Sequence, residues 1–248
     1  MLYEIRDVIA YPLKLLFERS LEIGQLPADW KYSTITAIYK KGPKSDVGNY
    51  RPVSLTSVIC KVLESIIRDH SMTHLLKNEL LSSQQHGFIK GRSTALQLLS
   101  MLDNWTEALE TGGQIDTIYT DYEKAFDKVP HKRLVKKIAS FGLPQQTVRW
   151  MEAFLSGRQY RVKVNSKYSN WYQVKSGIPQ GSVLGPLMFI MFINDITEVC
   201  SNNEAHIYLF ADDAKLCRHI VHESDYELLQ TALSKLQDWS ETWLLCLS

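Results

Sequence analysis

The chain has 248 residues, enough for one large or two small domains, and its 45% hydrophobic and 22% charged residues are typical of a globular protein. A net charge of +1 says nothing about nucleic acid, and the longest apolar run, the seven residues from Leu187 to Ile193, is too short to cross a membrane. The four cysteines show neither a CxxC pair nor zinc-site spacing, and no secretory signal is visible. We therefore expect an intracellular protein, nuclear or cytoplasmic, that does not associate with membranes.

Charge is distributed unevenly along the chain. Residues 31–51 carry a local charge of +4, residues 131–175 carry +9, and residues 198–241 carry −6. Separate basic stretches beside an acidic one are typical of a protein that holds a polyanion around an acidic metal centre. Each stretch taken alone is also explained as a solvated surface.

The first predicted elements are a helix and a strand. Apolar residues at helical spacing cover residues 4–23, where Pro12 predicts a kink or break and Gly24 predicts the end. Residues 33–39 have the composition of a strand. They run into the basic turn Lys40-Lys41-Gly42-Pro43-Lys44.

A second helix is predicted over residues 58–77, with Thr56 or Ser57 as its cap. The cations before it, Lys40, Lys41 and Arg51, would suit a triphosphate, since arginine offers a bidentate fork and lysine a point charge. A solvated hairpin tip is the alternative interpretation.

A glycine-punctuated polar loop over residues 84–94 comes next. Ser93 or Thr94 is predicted to cap a helix that continues to about Leu109, and Gly112-Gly113 breaks the chain before a strand that ends at Asp121.

Two helices and a hairpin follow that strand. Asp127 is predicted to cap a helix over residues 130–141, and a second helix covers residues 145–155. Residues 159–175 alternate in polarity and predict a basic β-hairpin.

The segment from Ser176 to Pro186 contains three glycines and two prolines. This composition sets an extended, tightly turned backbone that a ligand's sugar or base could approach closely. The alternative is an ordinary loop before a buried helix over residues 186–198.

The last elements are two short strands over residues 206–210 and 214–220 and an amphipathic helix over residues 225–240. Asp212 and Asp213 then lie in the tight turn between the strands. Adjacent carboxylates repel each other, and a divalent metal such as Mg²⁺ relieves that repulsion through oxygen ligands. Asp is also a common turn residue, so the metal interpretation depends on a third carboxylate, for which Asp121 is the candidate.

Together these segments resemble reverse transcriptases, and in particular those of non-LTR (LINE-like, jockey-type) retrotransposons. Five motifs occur in the order found in that family: Asn49-Tyr50-Arg51-Pro52-Val53-Ser54, His86-Gly87-Phe88, Asp121-Tyr122-Glu123-Lys124-Ala125-Phe126-Asp127, Gly177-Ile178-Pro179-Gln180-Gly181-Ser182 and Phe210-Ala211-Asp212-Asp213. Each motif alone is weak, but five in order make the resemblance specific. It covers nearly the whole chain from about Leu13 onward.

The resemblance implies a catalytic site with two Mg²⁺ ions, for which Mn²⁺ is an alternative. Asp121, Asp212 and Asp213 would hold the ions, and the carbonyl of Tyr122 would help. Phe126 would stack under the incoming sugar and exclude a 2′-hydroxyl.

The resemblance also implies binding residues for dNTPs, an RNA template and a DNA primer. The triphosphate would be gripped by Arg51 with Lys40 or Lys41. The nucleotide and template path would be lined by Gln180 and Gly181. The nucleic-acid backbone would be followed by the hairpin residues Arg158, Arg161 and Lys163.

The implied fold is α+β, a right-hand polymerase with fingers and palm on an antiparallel palm sheet. We expect a helical lead-in over residues 1–30, fingers over 31–114 and a palm over 115–248 that includes the basic hairpin 158–175. The thumb and the endonuclease domain of the family are expected to be absent.

The implied function is RNA-directed DNA polymerisation by two-metal nucleotidyl transfer onto a primer 3′-hydroxyl. One rival is an inactive, truncated transposon remnant that only binds nucleic acid. Another is an unrelated two-metal nuclease, which accounts for the carboxylates but not for the motifs at 49–54 and 177–182.

Overall fold

The computed structural model describes residues 3–200 and 203–248. Within these residues the chain forms nine α-helices and eight strands. The helices are α1 (Arg6–Ile23), α2 (Val58–Lys77), α3 (Thr94–Glu110), α4 (Ala125–Lys128), α5 (His131–Ser140), α6 (Gln145–Leu155), α7 (Gly185–Ile193), α8 (Ile196–Val199) and α9 (Ser224–Trp243). The strands are β1 (Tyr32–Tyr39), β2 (Tyr50–Leu55), β3 (Gln114–Thr120), β4 (Gln159–Val164), β5 (Lys167–Tyr168), β6 (Tyr172–Gln173), β7 (His206–Phe210) and β8 (Asp213–Ile220).

The strands form two sheets. A five-stranded sheet has the order β2-β1-β4-β5, with β6 also paired to β4, and a three-stranded sheet has the order β3-β8-β7. The three-stranded sheet is antiparallel throughout. These elements confirm the strands predicted at residues 33–39, 206–210 and 214–220 and the mixed α and β composition.

The basic hairpin is confirmed as β4 with β5 and β6, but its partner is not the three-stranded sheet. β4 pairs in parallel with β1, with Thr34 opposite Arg161. The five-stranded sheet therefore combines strands from both sides of residue 114, where the sequence predicted a domain boundary.

Several helix ends follow the predicted capping chemistry. The hydroxyl of Ser57 accepts from the Cys60 amide at the start of α2, and that of Ser93 accepts from the Leu96 amide at the start of α3. Gly24 ends α1 in the left-handed conformation. Pro12 lies inside α1, which continues through it without a break.

Two expectations about helices are wrong. Asp127 does not cap α5, whose first residue is preceded by Pro130 without a side-chain cap. The helix expected over 186–198 is divided into α7 and α8 at Asn194. The side-chain oxygen of Asn194 accepts from the Ser82 amide, and its side-chain nitrogen donates to the Leu80 carbonyl. Pairing with a distant loop replaces helix propagation at that residue.

The core is built around α7. All nine of its residues except Pro186 are buried, and they pack against α5 and the helices nearby. None of the helices in residues 3–200 and 203–248 is long and apolar enough to span a membrane.

Candidate active site

The turn between β7 and β8 consists of Ala211 and Asp212. Phe210 pairs with Asp213, which is the first residue of β8. Asp212 therefore occupies the turn as predicted, while Asp213 begins the strand. Ala211 has a φ of 56°, a left-handed conformation that is uncommon for a residue with a Cβ.

Asp121 lies beside this hairpin. Thr120 pairs with Ala214 across β3 and β8, so the residue after Thr120 continues alongside the turn. The pKa of the Asp212 carboxyl is raised above its ordinary value, mainly by burial and further by the negative charges of Asp213 and Asp121. The three carboxylates thus act on one another electrostatically.

The donor set has the chemistry of a hard-cation site, since carboxylate oxygens are the ligands that Mg²⁺ prefers. Among the described residues, none of the three aspartates forms an ion pair within 4.0 Å. No group of three or more His, Cys, Asp or Glu in those residues is already close enough together to hold a metal ion. The carboxylates are neighbours, but their side chains are not gathered into a chelating cluster.

The backbone on both sides of Tyr122 is fixed by the end of the chain. The Asp121 carbonyl accepts from the Ser248 amide at 2.9 Å, and the Glu123 amide donates to the Cys246 carbonyl at 3.0 Å. Peptide groups alternate in direction along extended chain, so the Tyr122 carbonyl points away from residues 246–248. The Tyr122 ring is buried against Trp239.

The glycine-rich loop over residues 176–182 packs directly on the segment after Asp121. The Ile178 amide donates to the Phe126 carbonyl at 2.7 Å, and the Gly177 amide donates to the Val129 carbonyl at 2.9 Å. Gly177 has a φ of 86°, and a Cβ there would lie 2.4 Å from the Asp127 carbonyl oxygen. The close approach expected of this loop is therefore made by the protein's own backbone.

Gln180 ties this loop to both of its neighbours. Its side-chain amide donates to the Asp127 carboxylate at 3.0 Å, and its main-chain carbonyl accepts from the Ser54 amide of β2 at 2.7 Å. Burial raises the pKa of Asp127, while the Gln180 hydrogen bond and the charge of Lys124 oppose that shift. Gly181 lies so close to β2 that a Cβ would be 2.9 Å from the Ser54 carbonyl.

A buried glutamate anchors the end of the same loop. Glu64 of α2 is fully buried, and one of its oxygens accepts from the amides of Val183 and Leu184 at 2.7 and 3.0 Å. These amides precede α7, so the carboxylate supplies the hydrogen-bond partner that the helix start lacks.

Phe126 is fixed by two other aromatic rings. It stacks on Phe189 with ring centroids 4.4 Å apart and meets Phe88 edge-on at 6.2 Å. The ring is half-buried, which leaves part of its surface open to solvent.

The predicted triphosphate cations lie at the β1–β2 hairpin and are exposed. Lys40 comes near enough to Asp212 that its charge lowers the pKa of that carboxyl. Arg51 of β2 is opposite Ile38 of β1, which lies two residues before Lys40. Lys40 therefore presents positive charge beside the acidic turn, and strand alternation places Arg51 on the same face of the hairpin as Lys40.

One face of the five-stranded sheet continues this positive charge. Ile38 is opposite Arg51, and Thr36 is opposite Lys163, so alternation along β1 places Arg51 and Lys163 on the same face. Arg161 shares that face and lies over two exposed rings, Tyr168 at 4.0 Å and Trp171 at 4.8 Å.

Arg158 is a correction to the predicted nucleic-acid contacts. Its side chain is only 1% exposed, donates to the Phe154 carbonyl at 3.1 Å and lies over the Phe154 ring. The residue comes one position before β4 and turns into the core near Glu64, so it does not reach the surface of the hairpin.

Residues 38–248 match the model of the family described as reverse transcriptase (RNA-dependent DNA polymerase). The chain belongs to the reverse transcriptase family. It is 31% identical over 239 residues to an RNA-directed DNA polymerase from the mobile element jockey of Drosophila melanogaster, and 30% identical over 244 residues to a probable RNA-directed DNA polymerase from its transposon BS. These alignments cover 93% and 94% of this chain.

The reverse transcriptase domain spans about a quarter (26%) of the length of each of these relatives. It also resembles a solved structure of apo telomerase from Candida tropicalis, with a TM-score of 0.64 over 90% of this chain and 50% of that one. The identity is only 10%, so this likeness concerns the fold alone.

Two residues of this reverse transcriptase domain were not among the predicted site residues although they hold the site together. Glu64 lies on the buried side of α2, and Gln85 was part of a loop interpreted only as polar. Both are fully buried polar residues, and the sequence around Glu64 does not distinguish it from an exposed glutamate. A glutamine two residues before a glycine, as in Gln85-His86-Gly87, was the only local signal.

Proposed function

We propose that this reverse transcriptase domain performs RNA-templated DNA synthesis by adding dNTPs to a primer 3′-hydroxyl. The observation that carries the proposal is the pairing of opposite charges at one place. The Asp212 carboxylate, next to Asp121 and Asp213, lies close enough to Lys40 of the β1–β2 hairpin to be influenced by its charge. An acidic turn close to a cationic hairpin could bind a triphosphate together with its metal ions.

The three aspartates and the Tyr122 carbonyl are the groups of this chain that would hold divalent ions, which we propose to be two Mg²⁺. When bound, such ions activate the primer hydroxyl and stabilise the departing pyrophosphate. The residues themselves provide oxygen donors on two adjacent strands and a turn. Because Asp212 is partly buried, its carboxylate gains most from a nearby cation.

The cations of the β1–β2 hairpin would orient the nucleotide. Lys40 and Lys41 supply point charges, and Arg51 supplies a planar fork that matches two phosphate oxygens. Orientation by such groups lowers the entropic part of the barrier, since the reacting atoms start near the required geometry.

Phe126 would select the sugar. Its ring is held by Phe189 and Phe88, so it does not move aside easily for a 2′-hydroxyl. The hydrogen bonds that join residues 176–182 to the Phe126 and Val129 carbonyls fix its backbone. Gln180 and Gly181 would line the nucleotide and template path.

The template and primer would be held by the charged face of the five-stranded sheet. Arg161 and Lys163 share this face with Arg51, and exposed Tyr168 and Trp171 lie beside Arg161. Basic side chains among aromatic rings suit single-stranded nucleic acid, whose phosphates and bases they contact. We assign this sheet to the fingers and the three-stranded sheet to the palm.

Primer extension on an RNA template with Mg²⁺ and dNTPs tests the proposal. Extension by this domain that disappears in Asp212→Asn supports polymerase chemistry. If neither protein extends the primer but both bind the RNA–DNA duplex with equal affinity, the domain is a nucleic-acid binder only. The same assay on a longer protein with the segments that follow this domain in its relatives distinguishes an inactive domain from an incomplete one.

A further inference from the structure

We infer that Gln85 is a positioning residue that holds the catalytic turn in its active shape. The inference rests on the proposed function, since it concerns the same three aspartates. Gln85 belongs to the loop between α2 and α3. It is 0% exposed, and a fully buried amide is costly unless its polar atoms are satisfied.

Both ends of the Gln85 amide bind the backbone of the turn. Its Oε1 accepts from the Ala211 amide at 2.9 Å and from the Gly87 amide at 2.7 Å. Its Nε2 donates to the Ala211 carbonyl at 3.3 Å. Two amide donors can only be served by the oxygen, so the hydrogen-bond pattern fixes the orientation of the side chain.

Ala211, the residue held by these hydrogen bonds, has a strained backbone conformation. Ala211 has a φ of 56°, which an alanine rarely adopts without support. Asp212 follows it directly, and Asp213 comes next. The conformation of Ala211 therefore determines where both carboxylates point.

The neighbours of Gln85 reinforce the grip along the edge of the sheet. The His86 amide donates to the Leu209 carbonyl at 2.8 Å, and the Leu209 amide donates to the Gln84 carbonyl at 3.1 Å. The side chain of Gln97 on α3 also donates to the Leu209 carbonyl at 2.8 Å. The peptide groups of β7 next to the turn are thus held by residues far away in sequence.

Gly87 is required by the same contact. A Cβ at that position would lie 2.3 Å from the Ala211 nitrogen, which is closer than side-chain carbons come. The motif His86-Gly87-Phe88 therefore serves the turn through backbone contact, and Gln85 supplies the side chain that completes it.

The test compares Gln85→Leu with Gln84→Leu. Gln84 is adjacent and of the same type, and its side chain has no hydrogen bond among the described residues, so its substitution controls for a general effect on the loop. We expect Gln85→Leu to lower kcat about 100-fold, because small misplacements of reacting groups cost that much. The KM for dNTP should change little, since the triphosphate cations lie on another sheet.

A second substitution separates positioning from loss of folding. Glycine adopts the left-handed conformation without cost, so Ala211→Gly added to Gln85→Leu should recover about tenfold of the lost kcat. A general folding defect would not be repaired by a change at the turn.

Hydrogen exchange gives a readout that does not depend on activity. Gln85→Leu should abolish protection of the Ala211 amide while amides inside α2 and α9 stay protected. Unchanged protection at Ala211, or equal kcat for the Gln85→Leu and Gln84→Leu proteins, would overturn the inference. If neither the unsubstituted domain nor the longer protein extends a primer, the proposed function fails, and exchange at Ala211 still decides whether Gln85 holds the turn.

Discussion

Asp212 has a carboxylate that destabilises the metal-free fold and would bind a cation. Burial and two neighbouring negative charges raise the pKa of its carboxyl, so the charged form is disfavoured in the folded protein. A backbone hydrogen bond within Asp212 favours the charged carboxylate and opposes this rise in pKa without cancelling it. The charge is therefore a cost for the metal-free fold.

We expect Asp212→Asn to abolish primer extension and to raise the free energy of unfolding in EDTA by about 0.5–1 kcal/mol. Denaturant unfolding measures the second effect, with Asp103→Asn on the exposed side of α3 as the control. A destabilised Asp212→Asn protein would show that the carboxylate has a structural role.

The pH dependence of that gain follows from the direction of the pKa shift. A raised folded-state pKa means that the folded protein binds this proton more tightly than the unfolded chain. The free-energy penalty for the charged carboxylate is absent at a pH where the folded and unfolded states are both protonated. It grows as pH rises through the raised pKa of the folded state. The stability difference between Asp212→Asn and the original protein should thus be largest at neutral pH and vanish toward about pH 4. A difference independent of pH would contradict this.

Phe126 provides a prediction about sugar choice. Phe126→Val removes the ring that we propose to face the sugar, and a 2′-hydroxyl then finds space. The ratio of kcat/KM for rNTP over dNTP should rise by about 10- to 100-fold. Because both values are measured on the same protein, any loss of folded fraction cancels from the ratio. An unchanged ratio would exclude Phe126 from sugar selection.

The glycine-rich loop shows how one element couples the two halves of the site. It hydrogen-bonds the segment after Asp121 on one side and β2 on the other, and Glu64 holds its end. The loop was predicted to be extended and closely approached, and the structure shows that the approaching group is the backbone at Asp127.

Gly177→Ala tests that approach. The substitution combines a φ of 86° with a Cβ 2.4 Å from the Asp127 carbonyl, so we expect a loss of about 3 kcal/mol or more in the free energy of unfolding. Gly91→Ala is the matched control, since Gly91 has a φ of 85° but nothing within 4 Å of its added Cβ. That variant should lose only about 1–2 kcal/mol. Equal losses would mean that the contact with Asp127 is unimportant.

A second element-scale feature is the junction of α5, α7 and α9 at Lys137. The Lys137 ammonium is almost fully buried, donates to the Phe192 carbonyl at 2.6 Å and to Asp195 at 2.5 Å, and lies 3.7 Å from the Trp243 ring centre. Burial lowers the pKa of Lys137 to about 8, against the opposing effect of Asp195.

We expect Lys137→Met to lower the free energy of unfolding by about 1–3 kcal/mol, because the Phe192 carbonyl loses the ammonium donor and Asp195 keeps only the Trp239 indole as a side-chain donor. Thermal unfolding measures the loss. Lys136→Met is the control, since Lys136 is the exposed neighbour on the same helix. A Lys137→Met protein as stable as the control would show that apolar packing compensates for the lost ion pair.

At the scale of the whole molecule, a net charge of +1 conceals a strong separation of charge. The cations of Arg51, Arg161 and Lys163 share one face of the five-stranded sheet, while the aspartates lie at the turn of the other sheet. We propose that this arrangement attracts a nucleic-acid backbone although the protein as a whole is not strongly basic.

The salt dependence of RNA binding tests that face. Lys163→Gln should reduce the slope of log K against log salt by about 1, as expected for one phosphate contact. Arg158→Gln is the informative comparison, since Arg158 is buried: it should leave the slope unchanged and lower the melting temperature. An altered slope in Arg158→Gln would restore that residue to the nucleic-acid interface.

The sequence by itself determined the family, most helix and strand positions and the identity of the three aspartates, because each depends on local periodicity or on a short ordered motif. The capping residues Ser57 and Ser93 are local in the same sense. Tertiary structure decided what depends on contacts between distant segments. The parallel pairing of β1 with β4, the burial of Arg158 and the division of the helix at Asn194 are of this kind. So is the grip of Gln85 on Ala211, since 126 residues separate the two and no local pattern records a hydrogen bond across that distance.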